Sequence, residues 1–342
     1  MKKRMAWLLA GMLLAAGCAA PAASTPPVAA VEPAAEVEMI LLLEEDRPQI
    51  LAQGAALFCE KAAELSEGRV RISILSVGNP ADALQNGEGQ LAFVNPTEKD
   101  AYPILSTTAT PFLYPSYPNL SRVINSESIL TSLQKELQEQ NAVALAGYYL
   151  DSGHILSTMP LSNLSALANA QESGMVQIVT NGDTQSAEYL LPLNIDERVE
   201  LGSAVTHMNM LLSGEAQLAF FRYSELYEMQ WSEEFSSTVY FNVAFAELDL
   251  RWLLADKGVL DGLSASAQGV LQESAAYLFA AIDHTAILRD SQVEAMLQER
   301  GAIFNRNFSS MREQVFRVLH TGEFSDEQLA LLEKLRGLSA QS

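Results

Sequence analysis

Apolar and polar positions after residue 36 alternate in a way that predicts strands and helices in turn. Residues 38–43 form an apolar run of strand length, which is typical of a strand buried on both faces. Residues 55–65 carry apolar side chains at helical spacing, and Gly68 ends the pattern. Residues 70–75 alternate as a second strand does. This order of strand, helix and strand predicts an α/β domain.

An internal repeat predicts that the chain has two similar lobes. Residues 84–93 and 211–220 are identical at seven of ten positions. Each copy has the pattern of a helix end, a glycine turn and a short buried strand. The second lobe is predicted to open with a strand over 176–180, an Asn181-Gly182 turn and a helix over 184–191.

Two helices are predicted after the second copy of the repeat. Ser264 is a suitable cap for a helix that runs to Gly301, which would be about 54 Å long if unbroken. Ser325 and Gln328 form a capping box, so a terminal helix is expected.

The N-terminus has the pattern of an export signal. Residues 2–4 are basic, and residues 5–16 are apolar but shorter than the ~20 residues that span a bilayer. The segment ending in Cys18 resembles a bacterial lipobox, with Ala15 where leucine is usual, so Cys18 is the expected lipidation site. The alternative is an ordinary secretory signal with a chance cysteine. We expect a signal peptide over 1–17 and an Ala/Pro-rich tether over 18–36.

Composition excludes several classes of protein. Forty-two acidic against 21 basic residues argue against nucleic-acid binding, which needs a basic surface. A hydrophobic content of 49% excludes general disorder, and two cysteines exclude a disulfide scaffold. Cys59 lies in an apolar stripe and is expected in the core.

Motifs for cofactors and metals are missing from the sequence. We found no glycine-rich phosphate loop and no metal-ligand spacing among the four histidines, so no cofactor and no metal is expected. A Ser/His/Asp triad assembled only in space stays open.

Four stretches resemble one protein family. Pro111–Tyr114 matches the family's Pro-Phe-Leu-Phe, and residues 58–74 are similar to its opening helix and strand. Both copies of the repeat resemble its Leu-x-x-Gly-x-x-Asp segments, with Gln90 and Gln217 in the aspartate place. The long predicted helix resembles its domain-spanning helix. The family is that of the solute-binding proteins of tripartite ATP-independent periplasmic (TRAP) transporters.

The resemblance implies a two-lobed, periplasmic-binding-protein-like (type II) α/β fold with a cleft between the lobes. Lobe 1 is expected over 37–153, lobe 2 over 154–242, and a return crossover with the long and terminal helices over 243–342. The protein would bind a small polar organic ligand outside the cytoplasm, tethered by its lipid to a bacterial membrane. Membrane permease subunits would be its partners, and it would not be an enzyme.

One position departs from the family pattern. The family's second lobe usually opens with Gly-Leu-Lys-Ile-Arg-Val, whose arginine pairs with the ligand carboxylate. Ile178 stands in that place here. An alkyl side chain cannot replace a bidentate arginine, so a carboxylate ligand would need another cation.

Ligands of two-lobed α/β proteins lie beyond the carboxyl ends of the strands, which selects the candidate residues. These are Arg47, Asn95, Thr97, Tyr148, Thr180, Asn181 and Arg222. Arg222 is the first choice for the substitute cation, and an ion-paired surface arginine is its alternative. Asn95 equally suits a turn. Tyr148 and Tyr149 alternate, so one is expected to face the core and one the cleft.

Two other functions stay open at this point. The fold could serve a sensing or interaction lipoprotein that has lost the carboxylate site, as the Ile178 departure suggests. A hydrolase with a spatially assembled site is the second alternative.

Overall fold

Two long antiparallel strands, β4 (Ala142–Ser157) and β8 (Tyr240–Asp256), run through the middle of the protein. A computed structural model describes residues 36–98, 100–161, 176–182, 195–307, 312–313, 316 and 324–340. In it, β4 and β8 pair along their length, from Ala142 opposite Asp256 to Ser157 opposite Tyr240. The register shifts at three places along this pair, which bends and twists it.

The remaining strands pair outward from β4 and β8 to form one mixed sheet. They are β1 (Val37–Glu44), β2 (Val70–Val77), β3 (Leu91–Val94), β5 (Val176–Thr180), β6 (Ile195–Val199), β7 (Leu218–Arg222) and β9 (Ile303–Asn305). Their order is β2-β1-β3-β8-β4-β7-β5-β6, with β9 beside β8. The parallel strands β1, β2 and β3 belong to lobe 1, and β5, β6 and β7 belong to lobe 2.

Helices cover the sheet in both lobes. They are α1 (Gln49–Leu65), α2 (Pro80–Gln85), α3 (Pro103–Ser106), α4 (Tyr117–Ile124), α5 (Glu127–Glu139), α6 (Ala204–Ser213), α7 (Tyr223–Met229), α8 (Lys257–Gly262), α9 (Ala265–Glu299) and α10 (Asp326–Ser339). The predicted α/β class is confirmed.

The predicted long helix is confirmed as α9, which has 35 residues and is about 52 Å long. The Ser264 side chain caps it by accepting from the Ala267 N–H at 3.2 Å. It packs on α1 in lobe 1 and on α7 in lobe 2. A Cβ at Gly54 of α1 would lie 2.8 Å from Ile282, so the two helices approach closely there. The terminal helix α10 has the predicted capping box, with the Ser325 hydroxyl accepting from the Gln328 N–H at 3.2 Å.

The two copies of the internal repeat adopt the same local structure. Gly87 and Gly214 both have positive φ angles, of 76° and 80°. Gln90 precedes β3, and its side-chain oxygen accepts a backbone N–H of β1 at 2.8 Å. Gln217 precedes β7, and its side-chain oxygen accepts a backbone N–H of β5 at 3.1 Å. In each lobe the glutamine thus joins two parallel strands.

Several sequence predictions need adjustment. Helix α1 begins at Gln49 rather than at residue 55, and the helix predicted over 184–191 lies outside the described residues. The predicted lobe boundaries near residues 153 and 242 both fall inside crossing strands, because β4 and β8 belong to both lobes. Cys59 is only partly buried, although the burial it has raises the pKa of its thiol to about 11.

Gly153 lies where β4 meets β7, and a side chain there should destabilise the fold. A Cβ on Gly153 would lie 2.0 Å from the ring of buried Phe220. We expect Gly153→Ala to lower the free energy of unfolding by about 1–3 kcal/mol, measured by urea denaturation, because the ring must move within a packed core.

Gly269→Ala is the matched control for this prediction. No atom lies within 4 Å of a Cβ at Gly269, which is on the exposed side of α9. That variant should gain up to about 1 kcal/mol from helix propensity. Equal stability of Gly153→Ala and the wild type would contradict the packing at this crossing.

Candidate functional site

The carboxyl ends of parallel strands from both lobes meet at the middle of the β4–β8 pair. Val94 at the end of β3 pairs with Trp252, and Arg222 at the end of β7 pairs with Gly153, which in turn pairs with Glu247. Between Glu247 and Trp252 the crossing strands therefore lie between the two lobes. This is the position at which two-lobed α/β proteins bind ligands.

Charged side chains alternate along this part of β8, at Glu247, Asp249 and Arg251. Arg251 is 6% exposed and reaches lobe 1, where it donates to the Glu44 carboxylate at 2.7 Å. Its other terminal nitrogen pairs with Asp249. A buried guanidinium needs such partners, because transfer of an unpaired charge from water is costly. We call Glu44, Arg222, Glu247, Asp249 and Arg251 the cleft floor.

Arg222 reaches the same floor from lobe 2. Its guanidinium donates to one carboxylate oxygen of Glu247 from Nε at 3.1 Å and from Nη2 at 2.9 Å. Its backbone N–H donates to Glu225 at 2.8 Å, and the other oxygen of Glu225 accepts from the Asn181 amide at 3.2 Å. Arg222 thus lies at the end of β7, and it already holds a carboxylate of the protein.

A second charged cluster joins the long helix to β4, and we call it the interlobe network. Arg289 pairs with Asp151 at 3.0 Å and with Asp290 at 2.6 Å. The Tyr149 hydroxyl donates to the other oxygen of Asp290 at 2.8 Å. Burial raises the pKa of Asp290 to about 6, although Arg289 and Tyr149 act in the opposite direction.

His154 extends this network in a directed hydrogen-bond chain. Its Nδ1 accepts the Ala244 N–H at 3.2 Å, so its Nε2 carries the proton and donates to Ser152 Oγ at 2.9 Å. Ser152 in turn donates to Tyr149, whose own proton goes to Asp290. Burial lowers the pKa of His154 to about 3, so the ring is neutral. A histidine that donates to the serine is arranged opposite to one that activates a nucleophile.

The other residues predicted for the site make local contacts. Asn95 Oδ1 accepts from the backbone N–H of Thr97 at 3.1 Å and from its hydroxyl at 2.9 Å, which is the turn that the sequence offered as the alternative. The Thr180 hydroxyl accepts the Gly182 N–H at 3.0 Å. Asn95 and Thr97 follow β3, Thr180 is the last residue of β5, and these contacts stabilise the adjoining loops.

Tyr148 and Arg47 are also occupied by the protein. Tyr148 is fully buried, and its hydroxyl donates to the Ala275 carbonyl of α9 at 3.0 Å. Arg47 donates to the Glu44 carbonyl at 2.8 Å and to Ser76 Oγ at 3.1 Å. Of the two adjacent tyrosines, Tyr148 thus packs in the core under α9, and the Tyr149 hydroxyl enters the interlobe network.

Ile178 is fully buried in β5, where it pairs with Leu218 of β7. The position at which TRAP solute-binding proteins usually carry an arginine is therefore part of the core here. The cations near the cleft floor come instead from β7, β8 and α9, as Arg222, Arg251 and Arg289.

The spacing of charged residues in β8 is a sequence signal for the cleft floor. Glu247, Asp249 and Arg251 occupy every second position in a stretch of β8 whose other residues are apolar. Charges with that spacing share one face of a strand and need partners if the strand is buried. The Glu44–Arg251 pair itself could not be inferred, because its members are far apart in the chain.

The described residues offer no metal site and no membrane span. No group of three or more His, Cys, Asp or Glu side chains in that part of the chain could hold a metal ion. Likewise, none of the described helices is both long and apolar enough to cross a membrane.

Residues 44–171 match the model of a family described as bacterial extracellular solute-binding protein, family 7. No curated protein sequence matches the chain.

The fold is similar to those of TRAP periplasmic solute-binding proteins. One from Rhodobacter sphaeroides, apo and open, is 13% identical at a TM-score of 0.71, over 88% of this chain and 97% of that chain. One from Desulfovibrio desulfuricans with bound sn-glycerol 3-phosphate is 13% identical at a TM-score of 0.60, over 88% of this chain and 97% of that chain. One from Chromohalobacter salexigens with bound D-glucuronate is 14% identical at a TM-score of 0.61, over 87% of this chain and 99% of that chain. The predicted resemblance and the two-lobed fold are confirmed.

The buried carboxyl of Asp290 should make stability depend on pH. Its raised pKa means that the folded protein holds this proton between pH 4 and pH 6, where the unfolded chain has released it. Asp290 should therefore contribute a fall in the free energy of unfolding as pH rises through this window, by at most about 3 kcal/mol at ~1.4 kcal/mol per pKa unit. His154, whose pKa is lowered by burial, contributes in the opposite direction, so the Asp290 contribution is the difference between the wild type and a variant that lacks this carboxyl.

Chemical denaturation at pH 4 to 7 checks this prediction. Relative to the wild type, Asp290→Asn should gain stability as pH rises from 4 to 6, because its amide does not titrate and the Asp290 contribution is lost. Glu273→Gln, on the exposed side of the same helix, should keep the wild-type profile. An identical pH profile for the wild type and Asp290→Asn would show that other groups cause the dependence.

Proposed function

We propose that this chain, which resembles the solute-binding proteins of TRAP transporters, captures a small polar organic ligand outside the cytoplasm for a membrane transporter. One observation carries the proposal: the strand ends of both lobes converge on a charged floor along the crossing strands. Closure of the lobes over a ligand would form the state that permease subunits accept. The ligand is held and released without chemical change.

The charges of the cleft floor restrict how a carboxylate ligand could bind. Arg222 and Arg251 each hold a carboxylate of the protein, and Ile178 offers no cation. A ligand carboxylate would therefore have to compete with Glu247 for Arg222, which we expect to be the easier of the two to reach because it is 36% exposed. The buried Nε of Arg251 has no hydrogen-bond partner among the described residues and is a donor for a ligand oxygen.

A sensing or interaction lipoprotein is the second candidate function. The observation that favours it is the same pairing: protein carboxylates occupy the cleft arginines. If those carboxylates are never displaced, the fold serves a partner protein rather than a transported ligand. Binding of a signalling protein, with no small-molecule binding, would support this function.

Arg222→Ala and Glu247→Gln should change ligand binding in opposite directions. Native mass spectrometry of the chain, purified without denaturation, should show a bound small mass that disappears in Arg222→Ala. For a carboxylate ligand, Glu247→Gln should raise the affinity, because the competing charge is gone, while Arg222→Ala should lower it at least roughly tenfold. A thermal-shift panel of acids, sugars and amines would supply the affinities.

Arg69→Gln is the control for these variants. Arg69 is an exposed arginine whose Nε donates to the Ser66 carbonyl at 3.0 Å, and it lies at the start of β2. It should bind ligand as the wild type does. A native mass spectrum that shows only the ligand-free protein, together with no thermal shift from any compound of the panel, would contradict ligand capture and favour the sensing function.

Cys18 is proposed to carry the lipid that tethers the protein to the membrane. In bacterial cells expressing the chain, the wild type should partition into the detergent phase and Cys18→Ser into the aqueous phase, because thioether-linked acyl chains supply the membrane affinity. Cys59→Ser should partition as the wild type does. Detergent partition of Cys18→Ser would indicate an uncleaved signal segment instead.

A further inference from the structure

A cavity of about 570 Å³ lies apart from the predicted ligand site. Its walls are α4 in lobe 1, Tyr223 at the start of α7 in lobe 2, β8 at Val243 and Phe245, and the second half of α9. None of the seven residues predicted for the cleft lines it. Its volume is within the ~300–1,000 Å³ range of small-molecule sites.

The acidic groups of this cavity are already neutralised. Glu294 accepts the Tyr223 hydroxyl at 2.8 Å and pairs with Arg306 at 2.5 Å. Asp290 is held by the interlobe network through Arg289 and Tyr149. Neither carboxylate is therefore available as the main partner of a cationic ligand.

A hydroxyl and a guanidinium of α4 are donors at the cavity, beside the Ser121 hydroxyl. The Tyr117 hydroxyl is buried and has no partner among the described residues, which is a costly arrangement unless something accepts its proton. Arg122 donates from Nη2 to the Leu338 carbonyl at 2.8 Å, and no carboxylate in the described part of the chain pairs with it. Both side chains line the cavity.

The rest of the wall is largely apolar, with Val243, Phe245, Ile287 and Pro118. We propose that this cavity is a second ligand site, which binds a small carboxylate with an aromatic or aliphatic body. The body would lie against Val243, Phe245 and Ile287, and the carboxylate would accept from Tyr117 and Arg122. This arrangement supplies a partner for the buried hydroxyl and an anion for the arginine.

A ligand in this cavity would contact both lobes. Tyr117 belongs to lobe 1, Tyr223 to lobe 2 and Phe245 to a strand that serves both. Its affinity would therefore differ between arrangements of the lobes, and its binding would shift their population.

Three probes with one apolar body and different head groups test the proposal. They are 3-phenylpropionate, its neutral amide and the corresponding 3-phenylpropylamine, titrated calorimetrically into the whole chain. We expect the carboxylate to bind more tightly than the amide, and the amine to bind least. No binding of any probe, or a preference for the amine, would overturn the proposal.

Single-site variants locate the probe. Arg122→Gln should weaken 3-phenylpropionate binding roughly tenfold or more, as expected for loss of a charged hydrogen bond. Tyr117→Phe should weaken it several-fold while keeping the ring contact with Tyr149, whose centroid is 4.9 Å away. Arg69→Gln should bind as the wild type does.

The cleft variant Arg222→Ala separates this site from the proposed function. It should leave 3-phenylpropionate binding unchanged, because Arg222 does not line the cavity. Unchanged binding in both Arg122→Gln and Tyr117→Phe, or lost binding in Arg222→Ala, would overturn the second site. Neither outcome would bear on the ligand of the proposed function, which native mass spectrometry measures independently.

Discussion

The backbone pairing of β4 with β8 is the interaction on which the rest of the structure depends. Each strand contributes one half to lobe 1 and the other half to lobe 2, so the sheets of both lobes are built outward from the same two strands. The pair runs from Ala142 to Ser157, and two of its three register shifts, at Tyr149/Asp151 and Gly153/Ile155, lie beside the cleft floor. A change in bend there would move one lobe relative to the other while the outer strands of each lobe kept their pairing.

Burial at this crossing requires that charges be paired, and the pairs connect separate elements. Arg251 joins β8 to the end of β1, Arg222 joins β7 to β8, and Arg289 joins α9 to β4. A buried guanidinium without a carboxylate would cost several kcal/mol, so Arg251 and Arg289, which are largely buried, hold their partners in place. Under the proposed function, an anionic ligand that binds Arg222 would have to displace Glu247.

Local patterns predicted the elements of the fold well. The strand over 176–180, the capping box at Ser325 and the helix after Ser264 are all present, because periodicity and caps act over a few neighbouring residues. The repeat predicted two lobes with similar turns, and Gly87 and Gly214 have the same backbone conformation. The prediction was less accurate for Cys59 and for the start of α1, where tertiary packing sets exposure and helix length.

The sequence by itself determined the fold class, the export signal pattern, the repeat and the isoleucine in place of the family's arginine. Only the tertiary structure decided which charges meet. The strand that ends at Arg222 was visible in the sequence, but the partner of Arg222, Glu247, is 25 residues away in the chain, and Glu44 is 207 residues from Arg251. Tyr148 and Tyr149 separated into core and network through contacts with α9. The cavity beside α4 combines residues from 116 to 306. Contacts of this kind follow from how the crossing strands bring distant segments together, and no local pattern in the sequence encodes them.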